Sequence, residues 1–315
     1  MLSSQLLDPR PPSTSSGLLQ FDAAVFRRDY DRRPFVIQHS LASHPLFQLP
    51  ALGELAKRLA SKGNTLHRLG DVPVNSDFDK AYDRYARSAS LDETLMTMER
   101  AGSFVVINYP ESDPEYAPVM RQLYDDIRVG SEPIDPNMLE IMAYVFISSP
   151  GALTPYHMDR EQNFLLQIQG DKTLSLWDPR DRRVMSERDV ELLMGDATAP
   201  RPRYSDQLEP LAQTYRLVPG LGVHHPFIAP HVARTGSKVS ISLALTFRTR
   251  GTQRRIQAYQ VNYLLRRLRL APRPIGQLPL LDAVKGRAYG KLRDAKNLFL
   301  RRSSRGPDSG AERDQ

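Results

Sequence analysis

Residues 154–172, TPYHMDREQNFLLQIQGDK, decide how the rest of the chain is interpreted. The segment places His157 two residues before Asp159 and then continues into an apolar run at 164–168. In a strand, residues i and i+2 point to the same face, so this histidine and this aspartate are predicted to reach one ion. A His-x-Asp pair is common by chance, and the surrounding residues must therefore carry the argument.

The end of the same segment predicts a tight turn. Gly170 and Asp171 are typical of a two-residue hairpin of type II′, which needs glycine at its first central position. Such a turn pairs Gln169 with Lys172 and places Asn163 and Gln167 on the same face of the sheet. A lysine that points into a barrel is costly without an anion, so the pattern predicts an acidic ligand inside the barrel. The alternative is that this polar face of the sheet meets solvent.

A second histidine-rich segment, residues 219–231 (PGLGVHHPFIAPH), leads into an apolar strand at 239–247. A histidine after a proline-rich turn fits a second metal-ligating imidazole. His231 is the preferred candidate, and His224 and His225 are its rivals. Two imidazoles and one carboxylate form the facial triad that suits non-haem Fe(II) oxygenases. The chain has no cysteine, which excludes thiolate zinc sites, iron–sulfur clusters and disulfides.

Secondary-structure patterns change along the chain. The N-terminal third mixes α and β: helices are predicted at 21–29, 50–61, 92–101 and 114–127, and strands at 33–37 and 104–107. The middle third predicts short strands separated by turns, at 139–148, 163–169, 172–178, 214–218, 222–228 and 238–248, with a helix at 186–194. Many short strands at this spacing favour an antiparallel barrel or sandwich. Helical spacing returns after residue 251.

Charge divides the 315-residue chain into an acidic body and a basic end. Residues 248–305 contain 16 Lys and Arg against two acidic residues, although the whole chain has a net charge of only +7. Such a segment is suited to nucleic acid, an anionic surface, an acidic partner or a second copy of the chain, or it is simply a solvated helical face. No segment approaches the length of a membrane span, and we expect a cytoplasmic protein.

At these residues the chain resembles the JmjC-type, cupin-like Fe(II)- and 2-oxoglutarate-dependent oxygenases. It is most similar to the branch that includes the asparaginyl hydroxylase of hypoxia-inducible factor. Thr154 lies three residues before His157, and Asn163 and Lys172 follow Asp159 by four and thirteen residues, as in that family's pattern. The third ligand of the pattern lies twelve residues after a Pro-Gly pair, which matches Pro219 and His231.

The resemblance implies a fold, cofactors and site residues. The fold is mainly β with flanking helices: a double-stranded β-helix (jelly-roll, cupin-like) barrel with an α/β N-terminal part and C-terminal helices. His157, Asp159 and His231 would bind Fe(II). The cosubstrates 2-oxoglutarate and O2 would complete a hydroxylase that releases succinate. The residues implied to bind 2-oxoglutarate are Lys172, which meets its distal carboxylate, and Thr154, Asn163, Tyr144 and Thr246.

The domain organisation follows from these patterns. Residues 1–17 and 304–315 are expected to be disordered. Residues 18–250 form the oxygenase domain, with its catalytic core at about 138–250, and 251–303 form a basic helical segment that a homodimer would use. The sequence departs from the family at Leu221, where the family has aspartate after Pro-Gly, and at Thr246, where the hydroxylase has asparagine.

Two other functions remain open from the sequence. One is a non-catalytic cupin-like scaffold whose basic helices bind nucleic acid or an anionic partner. The other is a cupin oxygenase or isomerase without a cosubstrate, against which Lys172 argues. The oxidised substrate, a protein side chain or a small molecule, is not identified. His39, His44 and His67 are expected outside the barrel.

Overall fold

The computed structural model describes residues 17–68, 72–76, 90–99, 102–196, 198–199 and 201–303. The two ends predicted to be disordered, 1–17 and 304–315, lie outside this range except for Gly17. The chain divides into two compact units: Met1–Ser186 with Arg201–Arg250, and Glu187–Pro200 with Gly251–Gln315. The segment 187–200, which the sequence analysis placed in the oxygenase domain, therefore groups with the C-terminal helices.

All strands of the described residues belong to the first unit and pair antiparallel in two sheets. In chain order the strands are β1 Leu19–Gln20, β2 Phe35–His39, β3 Thr65–Arg68, β4 Phe104–Asn108, β5 Met138–Ser148, β6 Leu153–His157, β7 Gln162–Gln169, β8 Lys172–Leu176, β9 Gln213–Leu217, β10 Leu221–His225, β11 His231–Thr235 and β12 Ser240–Thr249. The larger sheet has the order β1-β2-β10-β7-β12-β5-β4-β3, and the smaller has the order β6-β11-β8-β9.

The path of the chain from β5 to β12 defines the fold. Successive strands alternate between the two sheets, and only β8 and β9 are consecutive neighbours in one sheet. The four central strands of the larger sheet, β10-β7-β12-β5, thus face the four strands of the smaller one. This is the order of a double-stranded β-helix, a jelly roll, and it confirms the predicted fold class. The strands β1 to β4 extend the larger sheet on both sides.

In the described part of the first unit, the α-helices lie N-terminal to the barrel strands β5 to β12. They are α1 Ala23–Asp29, α2 Leu49–Ala60, α3 Leu91–Met96 and α4 Ala117–Ser131, with short 3-10 turns at Leu41–Ser43, Pro45–Phe47, Pro110–Ser112 and Asp206–Leu211. Helix α2 forms because Leu52, Leu55 and Leu59 recur at helical spacing, and all three are fully buried. Helix α3 is shorter than the predicted 92–101, and its N-terminus is fixed by a capping box between Ser90 and Glu93.

The core has two layers, one on each face of β7, because successive side chains of this strand point to opposite faces of the sheet. Phe164, Leu166 and Ile168 belong to a large cluster that includes the apolar faces of α2 and α4. Leu165 belongs instead to a smaller cluster between the two sheets, together with Leu174 of β8. One face of β7 therefore meets the helices, and the other faces the interior of the barrel.

The predicted hairpin at Gly170-Asp171 is wrong. Strand β7 pairs with β10 and β12, whereas β8 lies in the other sheet and pairs with β9 and β11. Gly170 does adopt a positive φ of 67°, and a Cβ there would lie 2.4 Å from the carbonyl oxygen of Val239. The turn passes the chain from one sheet to the other because barrel closure, a long-range requirement, overrides local turn chemistry.

His39 is a buried histidine outside the barrel interior, and its hydrogen bonds require the neutral imidazole. Its Nε2 donates to the carbonyl oxygen of Gln167 at 2.9 Å, and its Nδ1 accepts from the Leu41 N–H at 3.2 Å. Burial lowers the pKa of His39 to about 4. An imidazole with this pKa stays uncharged at neutral pH and must be charged when the protein unfolds in acid.

We expect acid to destabilise the first unit partly through His39. Between about pH 6.5 and pH 4 the unfolded chain binds one proton more than the folded chain at this residue, so stability falls as the pH falls. The slope is about 1.4 kcal/mol per pH unit. His39→Gln should remove this part of the slope in urea denaturation followed by the fluorescence of Trp177, the only tryptophan. Equal slopes for both proteins would contradict the assignment.

The second unit contains α5 Glu187–Gly195, α6, which runs Arg250–Arg267 and begins on the last residue of the first unit, and α7 Pro279–Ser303. The carboxylate of Glu191, only 1% exposed, accepts hydrogen bonds from Arg266 and from the amide of Asn262. Lys285 donates to the same amide's oxygen at 2.8 Å. These contacts join the three helices through a compensated polar network.

In the described part of the chain, no helix combines the length and the apolar character that crossing a bilayer requires.

Candidate metal centre

Strand pairing brings the two predicted histidine ligands together. His157 is the last residue of β6, His231 is the first of β11, and the two are direct partners in the ladder. Their ring centroids are 4.1 Å apart. Asp159 lies just beyond the end of β6, so it reaches the site from a loop, and the predicted alternation within one strand is not the reason for its position.

The three side chains present their ligand atoms to one another. Asp159 Oδ1 lies 3.8 Å from His157 Nε2, and Asp159 Oδ2 lies 3.9 Å from His231 Nε2. One ligand atom from each residue fits within a distance of 4.8 Å, and within the described residues this is the one group that meets that condition. The spacing is suitable for a single metal ion between two nitrogens and a carboxylate.

Backbone carbonyls fix the orientation of both imidazoles. Nδ1 of His157 lies 2.7 Å from the carbonyl oxygen of Pro155, and Nδ1 of His231 lies 3.0 Å from that of Ala229. A carbonyl oxygen only accepts, so each Nδ1 carries the proton and each Nε2 directs a lone pair into the site. Such supporting contacts are typical of metal-ligating histidines.

The electrostatics of the cluster also favour a cation. Burial, reinforced by the neighbouring His231, lowers the pKa of His157 to about 3, so its imidazole is neutral at physiological pH. Burial opposes ionisation of Asp159, but the two imidazoles and the amide of Asn163 outweigh it and lower the pKa of the carboxyl. Asn163 Nδ2 donates to Asp159 Oδ2 at 3.3 Å. His157 and Asp159 therefore have the protonation states that metal binding requires.

A cavity of about 490 Å³ opens over this cluster between the two sheets. Every residue that the sequence analysis assigned to the site lines it: His157, Asp159, His231, Thr154, Asn163, Lys172, Thr246 and Tyr144. Leu66 of β3 and Val106 and Asn108 of β4 also line the cavity. The roles of the individual residues stay predictions, but the fold does bring all eight together.

Lys172 is the unusual group of the cavity. It is 3% exposed, and its Nζ donates to the hydroxyl of Ser242 at 2.7 Å. No acidic side chain of the described residues forms an ion pair with it, and burial lowers its pKa to about 8. The ammonium thus faces the cavity interior without a counter-ion from the described protein, an arrangement that an anionic ligand would complete.

The remaining predicted contacts lie on strands that face the cavity. Thr246 of β12 is paired with Asn163 of β7, and its hydroxyl donates to the carbonyl oxygen of Met142 at 2.9 Å. Burial raises the pKa of Tyr144 above its ordinary value, so its phenol stays protonated. Asn163 Oδ1 is buried and has no hydrogen-bond partner among the residues that the structure describes, so a donor is needed to satisfy it.

The rival histidines occupy different positions. His224 has a structural environment: its Nε2 accepts from the Asp31 N–H at 3.1 Å, and its ring stacks on Tyr30. His225 lines the cavity, and its ring lies 4.8 Å from that of His231, but it is not part of the three-residue cluster. His39 and His44 make hydrogen bonds to nearby backbone outside the cavity.

Sequence analysis did not assign a role to Ser242 or Gln167, which are linked to Lys172 by hydrogen bonds. Ser242 donates to Gln167 Oε1 at 2.7 Å and accepts from Lys172. The signal available was the alternation of serine with apolar residues along 239–247, which marks small polar side chains on one face of a central strand. Without the facing strand, that pattern does not indicate a partner.

No protein-family model matches the chain. Among solved structures it is similar to the Escherichia coli ribosomal oxygenase YcfD, with 15% identity, a TM-score of 0.45, and coverage of 84% of this chain and 64% of that one. YcfD in complex with cobalt and 2-oxoglutarate matches at 16% identity and a TM-score of 0.41, with the same coverage of 84% and 64%. The DMSP lyase DddQ from Ruegeria pomeroyi DSS-3 matches at 19% identity and a TM-score of 0.22, over 34% of this chain and 38% of that one.

This chain therefore spans about 64% of the length of YcfD. The fold assignment rests on the strand order of the two sheets, not on these similarities.

Proposed function

We propose that the protein is an Fe(II)- and 2-oxoglutarate-dependent oxygenase that hydroxylates a protein side chain or a small molecule. The observation that carries the proposal is one cavity that contains both a His-Asp-His cluster and a buried ammonium without a carboxylate partner among the described residues. Either feature alone has several uses, but together they fit a metal ion and a dicarboxylate.

The donor set fits iron. Two imidazoles and one carboxylate, in a chain that has no cysteine, are the ligands of non-haem Fe(II) sites. His157, Asp159 and His231 would hold the ion, and their supporting contacts with Pro155 and Ala229 keep Nε2 directed at it. Three protein ligands leave coordination positions for a cosubstrate and for O2.

The far end of the cavity fits the cosubstrate. Lys172 would bind the distal carboxylate of 2-oxoglutarate as a compact point charge. Thr154 of β6, which β11 separates from β8 in the same sheet, would donate a hydrogen bond from its hydroxyl, and Asn163 and Tyr144 would orient the rest of the molecule. Bound together, Fe(II), 2-oxoglutarate and O2 supply the oxidation: one oxygen atom enters succinate as CO2 leaves, and the other enters a C–H bond of the substrate.

The protein positions the reacting groups and limits the access of water to them. The strands of both sheets enclose the metal end of the cavity, and the side chains of His157 and His231 are 6% and 7% exposed. Water is thereby kept from the two imidazoles, and polar interactions around them are strengthened. The part of the cavity that Leu66 and Asn108 line would admit the substrate.

Turnover of 2-oxoglutarate tests the proposal. Purified full-length protein with Fe(II), ascorbate and 2-oxoglutarate should form succinate in air, faster with a true substrate than without, and candidate peptides and metabolites can be screened by this increase. Protein that binds neither iron nor 2-oxoglutarate would contradict the proposal and favour the scaffold function.

A further inference from the structure

Lys172 is held by a chain of neutral hydrogen bonds. Its Nζ donates to Ser242 Oγ at 2.7 Å, and that hydroxyl donates to Gln167 Oε1, also at 2.7 Å. The amide nitrogen of Gln167 donates in turn to the carbonyl oxygen of Gln169 at 2.7 Å and to Ser240 Oγ at 2.9 Å. Ser242 and Gln167 are fully buried, so the chain is shielded from water.

The direction of each bond in this chain is fixed from its far end. The carbonyl oxygen of Gln169 only accepts, so the Gln167 amide nitrogen points to it and Oε1 points to Ser242. Ser242 must then donate to Gln167 and accept from the ammonium. Because both partners are uncharged, they fix the position of the ammonium without neutralising the charge that a ligand would meet.

The same bonds set the distance of the ammonium from the metal centre. On β11, the partner of Lys172 is Thr235, four residues from the ligand His231. On β12, Ser242 lies four residues before Thr246, which pairs with Asn163 beside the cluster. Four residues of a strand span about 13 Å. On both sheets, the lysine end of the cavity therefore lies this distance along a strand from the metal end.

We infer that Ser242 and Gln167 are positioning residues that select the chain length of the dicarboxylic 2-oxo acid. The inference rests on the proposed function. The lysine stem has four rotatable carbons, and an unrestrained ammonium would follow the carboxylate of a shorter or longer acid. Held against β12 by Ser242, the ammonium meets the distal carboxylate of a ligand of one length.

Binding of three acids to the full-length Mn(II)-loaded protein, measured by calorimetry, tests this inference. The acids are oxaloacetate, 2-oxoglutarate and 2-oxoadipate, which have four, five and six carbons. The wild type should bind 2-oxoglutarate most tightly. Ser242→Ala should weaken 2-oxoglutarate binding by about tenfold, because the ammonium loses its fixed partner. It should weaken binding of the other two acids less, so that discrimination between chain lengths falls.

Ser148→Ala is the matched control, because Ser148 is equally buried in the same sheet and its hydroxyl has no hydrogen-bond partner among the described residues. It should retain the selectivity of the wild type. Gln167→Met removes the acceptor of Ser242 without touching the lysine, and it should reproduce the loss of discrimination if Ser242→Ala does not fold.

The measurements distinguish failure of the proposed function from failure of this inference. A wild type that binds none of the three acids in the presence of Mn(II) overturns the proposed function itself. A wild type that selects 2-oxoglutarate, with a Ser242→Ala variant that keeps this selectivity, overturns the inference alone. An equal loss of affinity for all three acids also overturns it, because that result indicates a general loss of binding rather than of length selection.

Discussion

Alanine at His157, Asp159 or His231 will abolish succinate formation and reduce metal affinity by more than about a hundredfold, while the barrel stays folded. Mutation of residues that only support a metal ligand typically costs ten- to a hundredfold in affinity, and loss of a ligand itself should cost more. Each removed side chain is one of only three donors in the cluster. Metal content per chain and succinate release are the two measurements.

The fold should survive because the three side chains line the cavity and none of them belongs to the apolar clusters that form the core of the barrel. His44→Ala, a change of the same type outside the cavity, is the control and should leave both measurements unchanged. Full turnover by any one of the three alanine variants would refute the assignment of that residue.

Lys172→Met will lower the affinity for 2-oxoglutarate by about two to three orders of magnitude and leave the metal content unchanged. Removal of one partner from a buried ion pair typically costs 3 to 5 kcal/mol, because the remaining charge is desolvated without compensation. Methionine has nearly the length of the lysine stem, so the cavity wall is preserved. Calorimetric titration of the Mn(II)-loaded variant measures the loss.

The same substitution should stabilise the protein in the absence of ligand. Burial lowers the pKa of Lys172 from 10.5 to about 8, which corresponds to a folding cost on the order of 3 kcal/mol near neutral pH. Lys172→Met removes this cost, and its unfolding midpoint in urea should rise. Lys238→Met, at an exposed position before β12, should change neither property. An unchanged affinity for 2-oxoglutarate would show that Lys172 does not contact the ligand.

The pattern of elements could be predicted because it depends on local sequence. The spacing of Leu52, Leu55 and Leu59 predicted α2, and the alternation along 163–169 predicted β7. Four short strands were not predicted: β6 and β11, which carry the histidine ligands, have five residues each, and β1 and β3 have two and four. They depend on pairing with neighbouring strands rather than on periodicity. Strands this short form only where neighbouring strands are present to pair with them.

The pairing of strands could not be predicted from local signals. Gly170-Asp171 has the chemistry of a hairpin turn, yet β7 and β8 enter different sheets because both must cover the barrel interior. Lys172 nevertheless points inward, as the sequence analysis expected, although its partners are Thr235 and Leu217 rather than Gln169. This expectation was correct because the interior faces of the two sheets face each other. An inward-pointing side chain on either sheet therefore lies inside the barrel.

The sequence by itself determined the residue types of the site. With no cysteine and seven histidines, a metal site had to use imidazole and carboxylate, and the spacings around His157, Asp159 and Lys172 indicated which ones. Tertiary structure decided their relations: that His231 rather than His224 or His225 joins the cluster, and that Ser242 and Gln167 hold the lysine. These relations join residues about 70 positions apart, and they are fixed by closure of the two sheets rather than by neighbours in sequence.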